Sequence, residues 1–291
     1  MKPRSADTEP WAEELQFELL RRAGPTRRLE LACELSAFAW NAARAAVDRV
    51  YPRETEDERD QRFLTLVYGA ELARGFIAHR KRVRLPAGGE AGHVSNQDLY
   101  SVVLHVIGIL EALRVPYEVG GALASSLQGA PRSTLDVDLV ADLKSEQAAE
   151  LVKALGVDFC AEEEAIRKAF ASQRSFNVIH LATMLKVDVF PLKSTPFARS
   201  SFARRRQVPF PVPSGRLVWV SSPEDIVLHK LAWFAAGGKV SERQWLDVLG
   251  VLRVHGPVLD RAYLTQWASP LGVSELLARA LVEAGISPAQ P

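Results

Sequence analysis

Two short runs set ionisable acids among β-branched and apolar residues: Asp136-Val-Asp138-Leu, and further on Lys-Val-Asp188-Val-Phe. In an extended strand, residues two apart project from the same face, with Cα atoms about 6–7 Å apart at a rise of about 3.3 Å per residue. Asp136 and Asp138 therefore share one face, while Val137 and Leu139 turn to a core. Two ionised carboxylates at that spacing repel each other, and a divalent cation between them makes the arrangement favourable. A donor set made only of oxygens suits Mg2+. Asp188 offers one more carboxylate from a strand of its own. If that strand neighbours the first, two ions about 3.5–4 Å apart could clamp the attacking and leaving oxygens of a phosphoryl displacement. Either acidic run alone reads more simply as an edge strand showing acids to water.

Gly120 and Gly121 end a short apolar run and begin a helical one. Backbone N–H groups at such a helix start, with no side chain in the way, form an anion site suited to a triphosphate. A Gly-Gly pair is common in turns. Here it precedes the acidic strand by one small helix, so a phosphate cradle and metal ligands fall in one stretch. Ser125 and Ser126 offer hydroxyls nearby. Arg132 is either a bidentate phosphate donor or a surface loop arginine. Lys230 lies in the apolar helix EDIVLHKLAWF, where an ammonium needs a carboxylate or phosphate partner or must reach solvent. Arg243 and Asp247 are four apart and can simply pair with each other. His180 and His229 lack zinc-site spacing and read as structural.

The order Gly-Gly, short helix, Asp-h-Asp-h (h, a hydrophobic residue), then h-Asp-h resembles the signature of the polymerase-β-like nucleotidyltransferase superfamily. More closely, VGGALASSLQGAPRSTLDVDLVAD, SPEDIVLHKLAWF and SERQWLDVLGVL are similar to bacterial AbiE-type toxins and related uncharacterised nucleotidyltransferases. Those proteins show Arg-x-Thr before the acidic strand, a helical lysine, and an Arg-x-x-x-Asp element. Here these are Arg132, Thr134, Lys230, Arg243 and Asp247, and the resemblance spans roughly residues 98 to 290. It implies that Asp136 and Asp138 hold two Mg2+ ions, with Mn2+ as an alternative. Asp188 would hold the ion nearer the acceptor and help deprotonate the attacking hydroxyl. Gly120, Gly121, Ser125, Arg132, Thr134 and Lys230 would bind the nucleotide and its phosphates. One position departs from the pattern: minimal members carry a serine where this chain has Gly121.

The implied activity moves a nucleoside monophosphate from a nucleoside triphosphate to a hydroxyl of an RNA (such as tRNA), a protein or a small molecule. A role as the toxin of a toxin–antitoxin or phage-defence system is implied with it. The alternative is a non-catalytic nucleotide-binding or toxin-neutralising module that kept the fold.

The elements that must position these residues read as α/β (α+β): an N-terminal all-α module, then a nucleotidyltransferase domain with a small mixed sheet and C-terminal helices. Residues 1–85 form the helical module, residues 86–97 a Gly- and Pro-rich linker, and residues 98–291 the domain, its core at about 98–220 and a helical part at about 221–291. Thr8 and Thr26 are expected to cap two successive helices, and Thr55 with Glu58 forms a capping-box pattern before a third. Leu31, Leu35, Phe38, Ala42 and Ala45 are expected to line the core of the module, with a face for a protein partner as the other reading. Two strands, 177–181 and 185–192, are expected to form a hairpin.

Composition narrows the class. The 291 residues carry a net charge of +1, which gives no global case for wrapping nucleic acid or coating a membrane. The basic clusters HRKRVR (79–84) and ARRRQ (203–207) read as solvated faces, the first also as a guide for an RNA acceptor. Cys33 and Cys160 lack disulfide or zinc spacing, and no apolar run approaches a membrane span, so a cytoplasmic protein is expected.

Overall fold

A computed structural model describes residues 9–83 and 94–286. In chain order they form helices α1 (Pro10–Val50), α2 (Glu56–Tyr68), α3 (Ala70–Arg82) and α4 (Asn96–Ala112), then β1 (Tyr117–Val119), α5 (Gly121–Gln128) and β2 (Asp136–Ala141). There follow α6 (Ala148–Leu155), β3 (Phe159–Cys160), α7 (Glu163–Ser172), β4 (Phe176–His180), β5 (Lys186–Pro191), α8 (Pro196–Ala203), β6 (Arg206–Pro209) and β7 (Leu217–Val220). Among the described residues, α9 (Pro223–Ala236), α10 (Glu242–His255), α11 (Arg261–Ala268) and α12 (Ser274–Glu283) follow. N-terminal helices followed by mixed strands and helices match the expected fold class. The expected cap at Thr8 and most of the expected linker lie outside the described residues.

By contact the chain forms two units. One comprises the described residues of Cys33–Tyr117 with Ser133–Lys193; the other comprises the described residues of Met1–Ala32, Glu118–Arg132 and Ser194–Pro291.

In the first unit, strands follow the order β3-β4-β5-β2. β2 and β5 run parallel, while β4 pairs antiparallel with both β5 and β3. The expected β4–β5 hairpin is present, and Met184 takes the left-handed conformation (φ 60°) in its turn. Val137, Leu139, Val187 and Val189 are all at most 5% exposed and form the buried side of β2 and β5. β3 is only two residues long and carries too little pattern to read from sequence.

The helical part of this unit turns a different face inward from the expected one. Cys33, Ala37, Trp40 and Val47 are buried, while Leu35 is 46% and Phe38 75% exposed. Two demands select that face. Trp40 packs edge-on against Phe63 with ring centroids 4.7 Å apart. Arg44 must reach Asp60, which is fully buried and also accepts a 2.6 Å bond from Arg80. A buried charge needs such partners, so Arg44 fixes the rotation of its helix. Arg80 also pairs with Asp57, and Arg82 with Glu162 at 2.9 Å. The cluster HRKRVR is thus partly a structural ion network, not simply a solvated face. The capping box at Thr55 and Glu58 forms as expected. Gly69 (φ 90°) breaks the third expected helix into α2 and α3, and Ser95 caps α4 with Asp98.

In the second unit β7 pairs in parallel with β1 and antiparallel with β6. α1 kinks at Gly24 (φ 76°), and Pro25 then starts the next turn, where its missing N–H costs nothing. Thr26 is therefore not a cap; its hydroxyl donates to the Pro209 carbonyl at 3.2 Å. Arg253 pairs with Glu13, both almost fully buried. The cluster ARRRQ is also less solvated than expected. Arg204 bonds Glu224 at 3.1 Å and lies over the Tyr263 ring, and Arg205 lies over Phe202 and Trp219. Among the described residues no helix is long and apolar enough to cross a membrane.

Candidate functional site

The parallel register of β2 and β5 sets Asp138 opposite Asp188 and Asp136 opposite Lys186. Partners in register on adjacent strands project to the same side, and so do residues two apart on one strand. All three aspartates and Lys186 therefore share one face of the sheet, opposite the buried valines. The two strands are neighbours, which is the condition the sequence reading set for these residues to share a face.

Asp188 and Asp136 are held differently. Asp188 is 8% exposed; its Oδ1 accepts from the Asn177 amide and its Oδ2 accepts from the Lys186 ammonium at 2.6 Å. Asn177 reaches it because β4 pairs that residue with Asp188. Asp136 is more open, its side chain 41% exposed, and Lys186 Nζ lies 3.8 Å from its Oδ2. Thr134 donates to Asp136 Oδ1 at 2.9 Å, and the Thr134 amide donates to Ser36 Oγ at 3.0 Å. Thr134 thus orients the first acid through its hydroxyl while its backbone is tied to α1.

The helical segment contributes Tyr68 as well. Its hydroxyl donates to the Leu135 carbonyl at 3.0 Å, one residue before Asp136, and Lys186 Nζ lies 5.3 Å from its ring centroid. Burial, and next to it the negative charges of Asp136 and Asp188, push this phenol well above its ordinary range. Tyr68 stays neutral and remains a donor.

The donor chemistry at this face suits a hard divalent cation. Yet among the described residues no group of three or more His, Cys, Asp or Glu side chains is arranged around a metal position. The ammonium of Lys186 lies within ion-pair distance of both Asp136 and Asp188. Asp136, whose side chain is 41% exposed, and Asp138 on the same strand face are the residues that would hold an ion.

No protein family matches this chain, and no curated protein matches it in sequence. Solved structures do. An antigenic nucleotidyltransferase-like protein from Paracoccidioides brasiliensis is 18% identical, with 64% of this chain and 94% of that one covered at a TM-score of 0.40. The antibiotic-resistance factor ANT(2'')-Ia is 15% identical, with 64% and 95% covered at a TM-score of 0.37. The chain is similar in structure to nucleotidyltransferase-like proteins.

The remaining candidates lie in the second unit. Gly120 is the N-cap of α5, without a side-chain cap. Gly121 has φ 56°, a conformation that a side chain makes costly by about 1–2 kcal/mol. The backbone thus accounts for glycine at the position where the resembling pattern has serine. The first amides of α5 have no carbonyl within the helix to bond. Ser125 donates its hydroxyl back to the Gly121 carbonyl at 2.7 Å, and Ser126 Oγ accepts from the Arg132 amide at 3.3 Å.

Arg132 and Lys230 converge on Asp247. Arg132 donates to Oδ1 at 2.7 Å and to Oδ2 at 2.9 Å, and Lys230 Nζ lies 2.8 Å from Oδ2. Burial pushes Asp247 up, but the Arg132 bonds and the Lys230 charge outweigh it and hold the carboxyl below its usual range. Arg243 is exposed, and Asp247 pairs with Arg132 and Lys230 rather than with the arginine four residues before it. The carboxylate that Lys230 requires is present. His180 bonds Thr183 and His229 bonds Ser201, as structural histidines do.

Sequence reasoning missed Lys186, Asn177, Ser36 and Tyr68. Lys186 was legible, since it alternates with Asp188 and must share its face. Asn177 needed the hairpin register, and nothing local in the sequence marks Ser36 or Tyr68.

Proposed function

We propose that the protein is a metal-dependent nucleotidyltransferase that moves a nucleoside monophosphate from a nucleoside triphosphate to an acceptor hydroxyl and releases pyrophosphate. The observation that carries this reading is the in-register pair Asp138 and Asp188, with Asp136 on the same face. In the reaction the hydroxyl oxygen bonds to the α-phosphorus, the bond to the bridging oxygen breaks, and the hydroxyl proton leaves. A divalent ion, when bound, would stabilise the negative charge on the phosphoryl oxygens and on the leaving oxygen.

Asp136, steadied by Thr134, and Asp138 hold the cation. Asp188, held by Asn177 and Lys186, helps to take the proton from the acceptor hydroxyl. The amides at the start of α5, at Gly120 and Gly121, bind phosphate oxygens. Ser125, Arg132, Thr134 and Lys230 support the nucleotide, Arg132 and Lys230 through the charge they share with Asp247. The acceptor is an RNA, a protein or a small molecule, and a toxin role fits an activity that modifies a cellular component.

Incubation with each α-labelled nucleoside triphosphate, Mg2+, total RNA and total protein tests the reading. Label transfer by the wild type, and its loss in Asp138→Ala, is expected. Absence of transfer to any acceptor, or equal transfer by the variant, rejects it in favour of a non-catalytic nucleotide-binding module. Growth arrest on induced expression, relieved by Asp138→Ala, tests the toxin role.

A further inference from the structure

We propose that Lys186 is a built-in occupant of one of the two cation positions at the acidic face, so that the protein binds one divalent ion there and not two. The proposal rests on the nucleotidyltransferase reading. Strand alternation puts Lys186 on the face of Asp188, and the parallel register puts it beside Asp136. Its ammonium is 2.6 Å from Asp188 Oδ2 and 3.8 Å from Asp136 Oδ2, between the two carboxylates that a bridging ion would have to share. A fixed positive charge there does what an ion would do, and it repels an ion at the same place. Water screens this poorly, because the Lys186 and Asp188 side chains are each only 11% exposed.

The surroundings keep the ammonium in place. The Tyr68 ring backs it at 5.3 Å, and Asn177 takes the other oxygen of Asp188. Both oxygens of Asp188 are thus engaged by side-chain donors. Asp136 is open to solvent and shares its strand face with Asp138, so one ion binds from that side.

Mn2+ titration of the full chain, with unbound Mn2+ counted by electron paramagnetic resonance, tests this. One bound ion per wild-type chain is expected, two for Lys186→Met, and one for Lys186→Arg, which restores the charge. Two ions on the wild type overturn the proposal, as does a single ion on Lys186→Met that circular dichroism shows to be folded. If Lys186→Met does not fold, Lys186→Gln is counted instead, and the wild-type number decides by itself. Two wild-type ions with nucleotidyl transfer intact overturn this inference alone. No ion on either protein, together with no transfer, overturns the functional reading beneath it as well.

Discussion

Arg132 grips Asp247 with two parallel hydrogen bonds, 2.7 and 2.9 Å long, across more than a hundred residues of sequence. Lys230 shares the same carboxylate, which is nearly fully buried. Removing one partner of a buried charge set leaves the others uncompensated, at a cost of about 3–5 kcal/mol. Asp247→Ala is expected to lose stability on that scale in urea denaturation, while Arg243→Ala stays within about 0.5 kcal/mol of the wild type. A stable Asp247→Ala would show that the three-residue cluster contributes little to the fold.

Arg80 makes a second prediction. It is 3% exposed and bonds the fully buried Asp60. Arg80→Ala is expected to lower the thermal midpoint sharply, and Lys81→Ala, at an exposed position, to leave it unchanged. An RNA-binding test of this basic cluster must therefore be made at Lys81 and Arg82, since loss of binding in Arg80→Ala would report unfolding.

Gly121 makes a third. Its φ of 56° strains any side chain. Gly121→Ser, although it restores the residue of the resembling pattern, is expected to cost about 1–2 kcal/mol of stability, read from the shift of the denaturation midpoint. An unshifted midpoint would mean that the backbone at α5 relaxes freely.

Glu118 and His255 give the second unit opposed pH responses. Burial, and next to it the charge of Asp225, push the Glu118 carboxyl up to about 7. The folded protein then holds a proton that the unfolded chain releases near pH 4.3. Its contribution to stability is complete below that pH and is lost as pH rises through about 7. Burial lowers His255 to about 4, so its contribution is complete above pH 6.5 and is lost as pH falls through about 4. Urea midpoints measured from pH 5 to 8 are expected to fall more steeply towards pH 8 in the wild type than in Glu118→Gln. Parallel curves would refute the assignment to Glu118.

Much of the candidate site was legible because it depends on strand alternation. Asp136, Asp138 and Asp188 each sit between apolar residues, and period two fixes which way they point. The pairing of β2 with β5, and hence the meeting of Asp138 with Asp188, depends on register, which no single strand encodes. The inward face of α1 was misread for a different reason. Leu35 and Phe38 continue a good apolar stripe, but the buried face is the one that carries Trp40, packed on Phe63, and Arg44, paired with the buried Asp60. Tyr68 and Ser36 had no signal at all, since they reach backbone groups beside Asp136 through tertiary contacts alone.

The chain passes between its two units at Ala32, Tyr117, Arg132 and Lys193. Neither unit is therefore a continuous fragment, and no single cut releases one intact. During synthesis on a ribosome, the strand bearing Asp188 emerges well after the helices bearing Ser36 and Tyr68, so the acidic face is assembled late from parts made early.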